Sequence, residues 1–249
     1  MRLRSAPALP PKASAFTGPI EMLQTRSLAD EMMDDPALDL STYSAVLGDL
    51  AHVNTVTLAR RPTLDFLGRA LGGAKRFRLL DVGFGDGDML RAIARWAARR
   101  GIDAELVGID LNPRSETVAR AATPDSMPID WRTGDYADQA HEPWDFIVSS
   151  LVAHHMTHAQ LIGFLRFMET HATRGWFIND LHRHGFAFTG FPMLASLMRW
   201  HPIVRHDGQL SIARSYRPAE WPAMLAEAGA TNARVFRAFP FRLCVEATR

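Results

Sequence analysis

A single cysteine, Cys244, stands among 249 residues, which excludes an intramolecular disulfide framework and fits a reducing compartment. It falls in an apolar strand pattern, so a plain core thiol is expected there and not a nucleophile. Excess charge is missing too. With 28 Lys+Arg against 27 Asp+Glu there is no global basic field of the kind that holds nucleic-acid phosphates. The local cluster Arg95, Arg99 and Arg100 reads as a solvated helix face. No apolar run reaches transmembrane length, and no internal repeat is visible. The start, MRLRSAPALPPKASAFTGPI, lacks the continuous apolar segment of a secretory signal. These absences imply a cytoplasmic protein without stable membrane insertion, with a flexible arm over residues 1–19. What is present, 47% hydrophobic residues, is enough to bury one large core, which predicts one α/β domain with an added helical cap.

The most informative stretch is RFRLLDVGFGDGDMLRAIARWAARRGIDAELVGIDLNP, Arg76 to Pro113. The apolar run Phe77 to Val82, bounded by glycines, predicts a parallel-sheet strand. Gly83, Gly85 and Gly87 supply permissive backbone, and from Asp88 a helical pattern places Leu90, Ile93, Ala94 and Ala97 on one face. A ligand would thus meet a helix N-terminus. A dinucleotide site reads G-x-G-x-x-G, however, and here the spacing is G-x-G-x-G with Asp81, Asp86 and Asp88 around it. Three carboxylates would repel a pyrophosphate, so the ligand is expected to be cationic or zwitterionic. Leu106 to Ile109 is a second strand ending in Asp110, where an acid can accept both hydroxyls of a ribose.

At these residues the chain resembles the class I S-adenosylmethionine-dependent methyltransferases. LLDVGFGDGD is similar to their first motif and GIDLNP to the second-strand motif with its ribose-binding acid. GDYADQ, Gly134 to Gln139, resembles the segment whose acid sits beside the adenine amino group. WDFIVSSLVAHHM and GWFINDLHRH are similar to the fourth and fifth strands with their following loops. Within the superfamily the chain is broadly similar to the ubiquinone/menaquinone methyltransferases and other small-molecule enzymes of bacterial biosynthesis. The resemblance implies a doubly wound, Rossmann-like, seven-stranded sheet with an antiparallel edge hairpin and a helical lid. It implies S-adenosylmethionine as cofactor, with Asp81, Gly83, Gly85, Gly87, Asp110, Leu111, Asp135, Tyr136, Ser149 and Ser150 as its binding residues. The implied organisation is a lid over residues 20–73 and a cofactor-binding domain over 74–249, with a lid insertion at 186–216.

Elsewhere the pattern is coarser. Ile20 to Leu71 reads as helical, with Ser41 placed to cap the second helix, Pro62 in the first turn of the third and Gly72 and Gly73 ending it. Tyr43, Asn54 and Arg60 are its polar candidates for the cleft. Between the fifth and sixth strands, Phe186, Phe188, Phe191, Met193, Met198 and Trp200 suit either a wall for a flat apolar substrate or ordinary core. Pro218 to Ala228 reads as a helix, and the last two strands as Arg234 to Phe239 and Phe241 to Ala247.

Methyl transfer from a sulfonium is an in-line displacement whose remaining need is removal of the acceptor's proton. Histidine suits a phenolic hydroxyl. His155 is the first candidate base and His154 the second, since both follow the fourth strand, while Asp180 can orient one of them. Either imidazole instead caps a helix, stacks on the cofactor or shapes the pocket. Tyr43, Asn54, His182, Phe186, Met193 and Trp200 are candidate substrate residues. No metal is expected: HHMTH is dense in imidazole, yet no Cys or Glu nearby completes a zinc spacing. The expected partner is a small apolar or aromatic acceptor methylated on oxygen. Carbon or nitrogen methylation, a non-methylating enzyme and a regulatory binder are the alternatives, and the oligomeric state is open, a homodimer included. A nucleic-acid substrate is disfavoured, because no D/N-P-P-Y-like tetrapeptide or basic extension is present.

Overall fold

The computed structural model describes residues 23–249; the expected arm over 1–19 and the first positions of the expected helix from Ile20 lie outside them. Seven strands form one sheet in the order β3-β2-β1-β4-β5-β7-β6. They are β1 (Arg76–Val82), β2 (Asp103–Asp110), β3 (Ile129–Thr133), β4 (Trp144–Ser150), β5 (Ala172–Leu181), β6 (Arg234–Ala238) and β7 (Arg242–Thr248). The first five run parallel, and β7 is antiparallel to both β5 and β6. This is the doubly wound sheet with an antiparallel edge hairpin that the sequence predicts.

Alternation along the central strands explains the two cores. Leu80 and Val82 of β1 join Ile147 of β4 and Trp176 of β5 in one cluster, whereas Phe77 and Leu79 join Phe146, Val148 and Phe177 in another. Successive side chains leave a strand on opposite faces, so each face carries its own core. On the first lie α5 (His158–His171) and α8 (Trp221–Ala228); on the second lie α2 (Arg61–Ala70) and α3 (Asp88–Ala98). Cys244 is fully buried in the second core, as expected.

Two further helices, α6 (Gly185–Leu197) and α7 (Pro202–Arg214), occupy the segment that is too irregular for one helix. With α1 (Leu40–Val56) they build a small separate core of Val46, Val53, Ala195, Trp200, Ile203 and Val204. The remaining helix, α4 (Pro113–Ala122), connects β2 to β3.

Several local expectations are corrected. Between Leu23 and Glu31 there is no helix, only turn and extended chain, followed by a short 3-10 turn at Met32–Asp34. The α1 cap is Asp39, whose carboxylate accepts the Thr42 N–H at 2.9 Å; Ser41 instead donates its hydroxyl to the same carboxylate. Asp fits because a carboxylate there also meets the positive end of the helix dipole. The Pro218 segment opens as a 3-10 turn, with the α-helix proper starting at Trp221. Among the described residues no helix is long and apolar enough to cross a membrane.

Candidate active site

At the carboxyl ends of the parallel strands lies a cavity of about 990 Å³. Its walls include Asp81, Val82, Gly83 and Gly85 from the first turn, Asp110 and Leu111 after β2, Ser150 and His154 after β4, and Phe186, Phe191 and Met193 from α6. Open α/β sheets bind ligands at this crevice because the loops leaving β1 and β4 diverge there.

The glycine turn is held tightly. Gly83 and Gly87 both have positive φ, and a Cβ on either would overlap a neighbour, Val152 for the first and the Trp131 ring for the second. Gly87 does not line the cavity; it lets α3 start against Trp131. Gly85 is different. Its φ is +58°, and an added Cβ would meet only Leu47, at 3.6 Å, so this is where the turn leaves room for a ligand. Asp110 steadies the turn by accepting the Gly85 N–H at 2.9 Å on one oxygen and the Asn112 N–H at 2.9 Å on the other. A carboxylate so placed at the end of β2 suits a pair of vicinal hydroxyls.

The three acids around the glycines do not act alike. Asp86 is paired with Arg91 at 2.7 Å, and Asp88 with Arg60 at 2.7 Å. Two of the three charges that argued against an anionic ligand are thus neutralised from within. Asp81 is the exception. It is buried, its Oδ1 has no hydrogen-bond partner, and burial, with Asp88 and Asp110 nearby, pushes its pKa up to about 8. A cationic ligand group would relieve that unpaired acid.

The post-β4 loop carries the imidazoles on a 3-10 turn at Ala153–His155. His154 is buried, with Nδ1 2.6 Å from Asp180 Oδ1, and Asp180 Oδ2 accepts the His154 backbone N–H at 2.8 Å. Burial opposes charge on this ring, but the carboxylates of Asp180 and Glu31 outweigh it and raise the pKa. Asp180 is correspondingly lowered: burial pushes it up, and the imidazole overrides this. His155 is half-buried, its Nδ1 3.5 Å from Asp34 and its Nε2 3.7 Å from Glu31. His154 is therefore the imidazole with an orienting acid, although His155 stood first on sequence.

Glu31 was not singled out by the sequence. Asp207 of α7 accepts the Met32 and Met33 N–H groups at 3.0 and 2.9 Å, which clamps the turn and leaves Glu31 buried toward the cavity. Ser211 donates to its Oε1 at 2.7 Å. Its pKa is lowered, because the imidazoles and Ser211 outweigh burial. Arg242 was missed as well. It is buried in the cavity wall, gives one Nη2 hydrogen bond to Asn54 at 3.1 Å, and leaves Nη1 without a partner. Its place at the start of β7, between β5 and β6, carries no local motif.

Residues matching a described methyltransferase domain run from 79 to 175. Over that segment the chain carries a methyltransferase domain. No curated protein matches it in sequence. Among solved structures it is similar to the plantazolicin methyltransferase BpumL in complex with SAH, at 15% identity over 92% of this chain and 96% of that one, with a TM-score of 0.65. A SAM-dependent methyltransferase from Aquifex aeolicus is similar at 17% identity, covering 84% and 98%, TM-score 0.56. Magnesium protoporphyrin IX methyltransferase from Synechocystis PCC 6803 follows at 15%, covering 86% and 90%, TM-score 0.53. At such identities these three establish the fold.

Several candidate positions sit elsewhere than expected. Trp200 packs in the α1–α6–α7 core, stacked on Phe191 with centroids 6.1 Å apart, and does not line the cavity. Its neighbours Phe188 and Met198 are also core, so the aromatic and Met stripe divides, with Phe186, Phe191 and Met193 facing the cavity. His182 lies off the cavity, bridged to Tyr216, and burial and the nearby His184 lower its pKa to about 4. Ser149 is buried and gives its hydroxyl to Val82 O at 2.9 Å, tying β4 to β1. Asp135 is exposed and caps the turn after β3 through the Ala137 N–H, while Gly134 and Tyr136 beside it line the cavity. Tyr43 and Asn54 do line it, but the Tyr43 hydroxyl is engaged with Ser115 at 2.9 Å, and Asn54 bridges Asp88 and Arg242. Arg60 serves Asp88.

Proposed function

We propose that this chain is an S-adenosylmethionine-dependent methyltransferase that acts on a small, largely apolar acceptor and methylates an oxygen, that of a phenolic or quinol-like hydroxyl. The observation that carries the reading is that one cavity joins the glycine turn and Asp110 to an apolar end of Phe186, Phe191 and Met193, with the two imidazoles in its wall. When bound, S-adenosylmethionine supplies an electrophilic methyl group on a sulfonium. The residues present fit it. Asp81, Gly83 and Gly85 receive the methionine end, Arg242 its carboxylate, Asp110 the ribose, and Leu111, Tyr136 and Ser150 the far end of the cavity.

The chain's own contribution is alignment and proton management. Holding acceptor and methyl group in line can supply on the order of 7–11 kcal/mol. The hydroxyl proton leaves at the His154–His155 pair, where Asp180 sets the ring orientation of His154. α1, α6 and α7, sharing a core apart from the sheet's two, act as the lid, whereas α2, inside the expected lid span of 20–73, packs on the sheet. The apolar acceptor end fits an enzyme of quinone-like or secondary metabolism. BpumL, of the same fold, is described in complex with a pentazolic desmethylPZN analog and SAH. The test is mass spectrometry of a phenol, quinol and flavonoid panel incubated with enzyme and cofactor. Gain of one methyl group on oxygen is expected; methylation only on carbon or nitrogen would refute the oxygen assignment.

A further inference from the structure

The acid and imidazole cluster in the cavity wall has more order than proton removal requires. We propose that Glu31, His154 and His155 together hold a divalent transition-metal cation, best matched by zinc, with its open side toward the acceptor. The inference rests on reading this cavity as the acceptor site, though not on the acceptor's identity.

Distances come first. One donor atom from each of the three residues lies within 4.8 Å of the other two, with His154 Nε2 3.7 Å from Glu31 Oε1 and His155 Nε2 3.7 Å from Oε2. Zinc bonds such donors at about 2.0–2.2 Å, which places tetrahedral donors roughly 3.3 Å apart, so the two carboxylate–imidazole pairs close by about 0.4 Å each and the widest donor pair by up to about 1.5 Å.

Orientation is the stronger argument. His154 Nδ1 is committed to Asp180, and its Nε2 is buried with no hydrogen-bond partner. A ring that donates Nδ1–H to a carboxylate presents the Nε2 lone pair, here aimed at a buried carboxylate oxygen. Two acceptors facing each other are reconciled by a proton on Nε2 or by a cation, and metal titration tells them apart. Metal-bound imidazoles commonly have this backing, an acid behind the far nitrogen that fixes the tautomer. His155 is held more loosely, with Asp34 3.5 Å from Nδ1 and Glu31 3.7 Å from Nε2. Glu31 is itself pre-set by Ser211, while Arg214 stands farther off at 3.9 Å and gives its hydrogen bond to Ala29 O.

Three protein ligands with a side open to a cavity is the arrangement of catalytic rather than structural zinc. With the cation bound the two imidazoles would be its ligands and not the proton acceptor, and a hydroxyl of the acceptor taken up there would lose its proton to solvent water more readily, with no change of oxidation state. The sequence concealed the site because the third ligand comes from a segment far from the HHMTH run. His158, the other imidazole of that run, is turned to Glu227 at 2.9 Å.

The experiment uses the full chain, stripped with a chelator and titrated with Zn²⁺ by calorimetry and with Co²⁺ by visible absorption. One equivalent per chain is expected. Glu31→Gln and the half-buried, structurally milder His155→Ala should weaken binding beyond the roughly 10–100-fold of an outer-shell change such as Asp180→Asn, and His158→Ala should leave it unchanged. Binding that is absent, or indifferent to Glu31→Gln and His155→Ala, overturns the proposal. So does full-rate methylation by stripped enzyme, an outcome that leaves the acceptor reading intact. Residue-dependent zinc binding with no acceptor in the panel methylated supports the cation and counts against the acceptor class instead.

Discussion

Asp180 grips His154 twice, through the ring at 2.6 Å and through the backbone N–H at 2.8 Å. One carboxylate thereby fixes both where the loop after β4 sits and which nitrogen the imidazole presents. Its charge also raises the His154 pKa against the effect of burial.

Asp180→Asn is therefore expected to lower turnover while leaving cofactor affinity nearly unchanged, and to move the pH profile. Only a neutral imidazole accepts a proton or a cation, so activity is lost as pH falls through the ring's titration. Removing the charge that raises this pKa shifts the acidic limb toward lower pH. A pH–rate profile of both proteins checks this, and an unmoved limb would detach His154 from the chemistry.

Asp81 makes a second pH prediction with the opposite sign for the fold. Its folded pKa, about 8, lies above that of an unfolded aspartate, so the native state retains a proton that the unfolded chain gives up. Stability accordingly falls as pH rises through that interval and levels off above the folded value. Asp81→Asn should raise the melting temperature of the unliganded protein more at pH 8 than at pH 5, at roughly 2–4 °C per kcal/mol, and should weaken S-adenosylmethionine binding. Equal gains at both pH values would show that Asp81 does not hold the extra proton.

The cofactor end was legible because its signals are local: a strand, three glycines and an acid a fixed step later need only neighbours in sequence. The cleft wall was only half legible. Phe191 and Trp200 look alike on the page, yet one lines the cavity and the other fills the lid core, a distinction made by how α6 and α7 pack. Glu31 was invisible, since its place depends on the Asp207 carboxylate clamping two backbone N–H groups from the far side of the chain. The charge argument over the glycine turn was incomplete for a similar reason, because Arg91 and Arg60 are not readable as partners of Asp86 and Asp88 from spacing alone.

Asp110→Ala should remove charge-assisted hydrogen bonds to the ribose, each worth about 1.5–3 kcal/mol, and weaken cofactor binding at least about tenfold. The loss should be compounded by the freed Gly85 N–H, which the carboxylate now holds. Calorimetry with S-adenosylhomocysteine reads it directly; unchanged affinity would remove Asp110 from the site.

Gly208 offers a way to test the acceptor end without touching any group that binds the cofactor. It lies on α7, and a Cβ added there would overlap the ring of Phe191, which lines the cavity from α6. Gly208→Ala must therefore push that ring, and the packing of α6 on α7 transmits the shift to the apolar wall. The expected result is a raised acceptor KM with cofactor affinity near wild type, accompanied by faster hydrogen exchange in 186–216. The same segment should slow its exchange when cofactor and acceptor bind wild-type enzyme, because a cleft closed from water must open to admit its substrate. Protection confined to the glycine turn, together with an acceptor KM indifferent to Gly208→Ala, would mean that α6 and α7 form a fixed wall and not a lid.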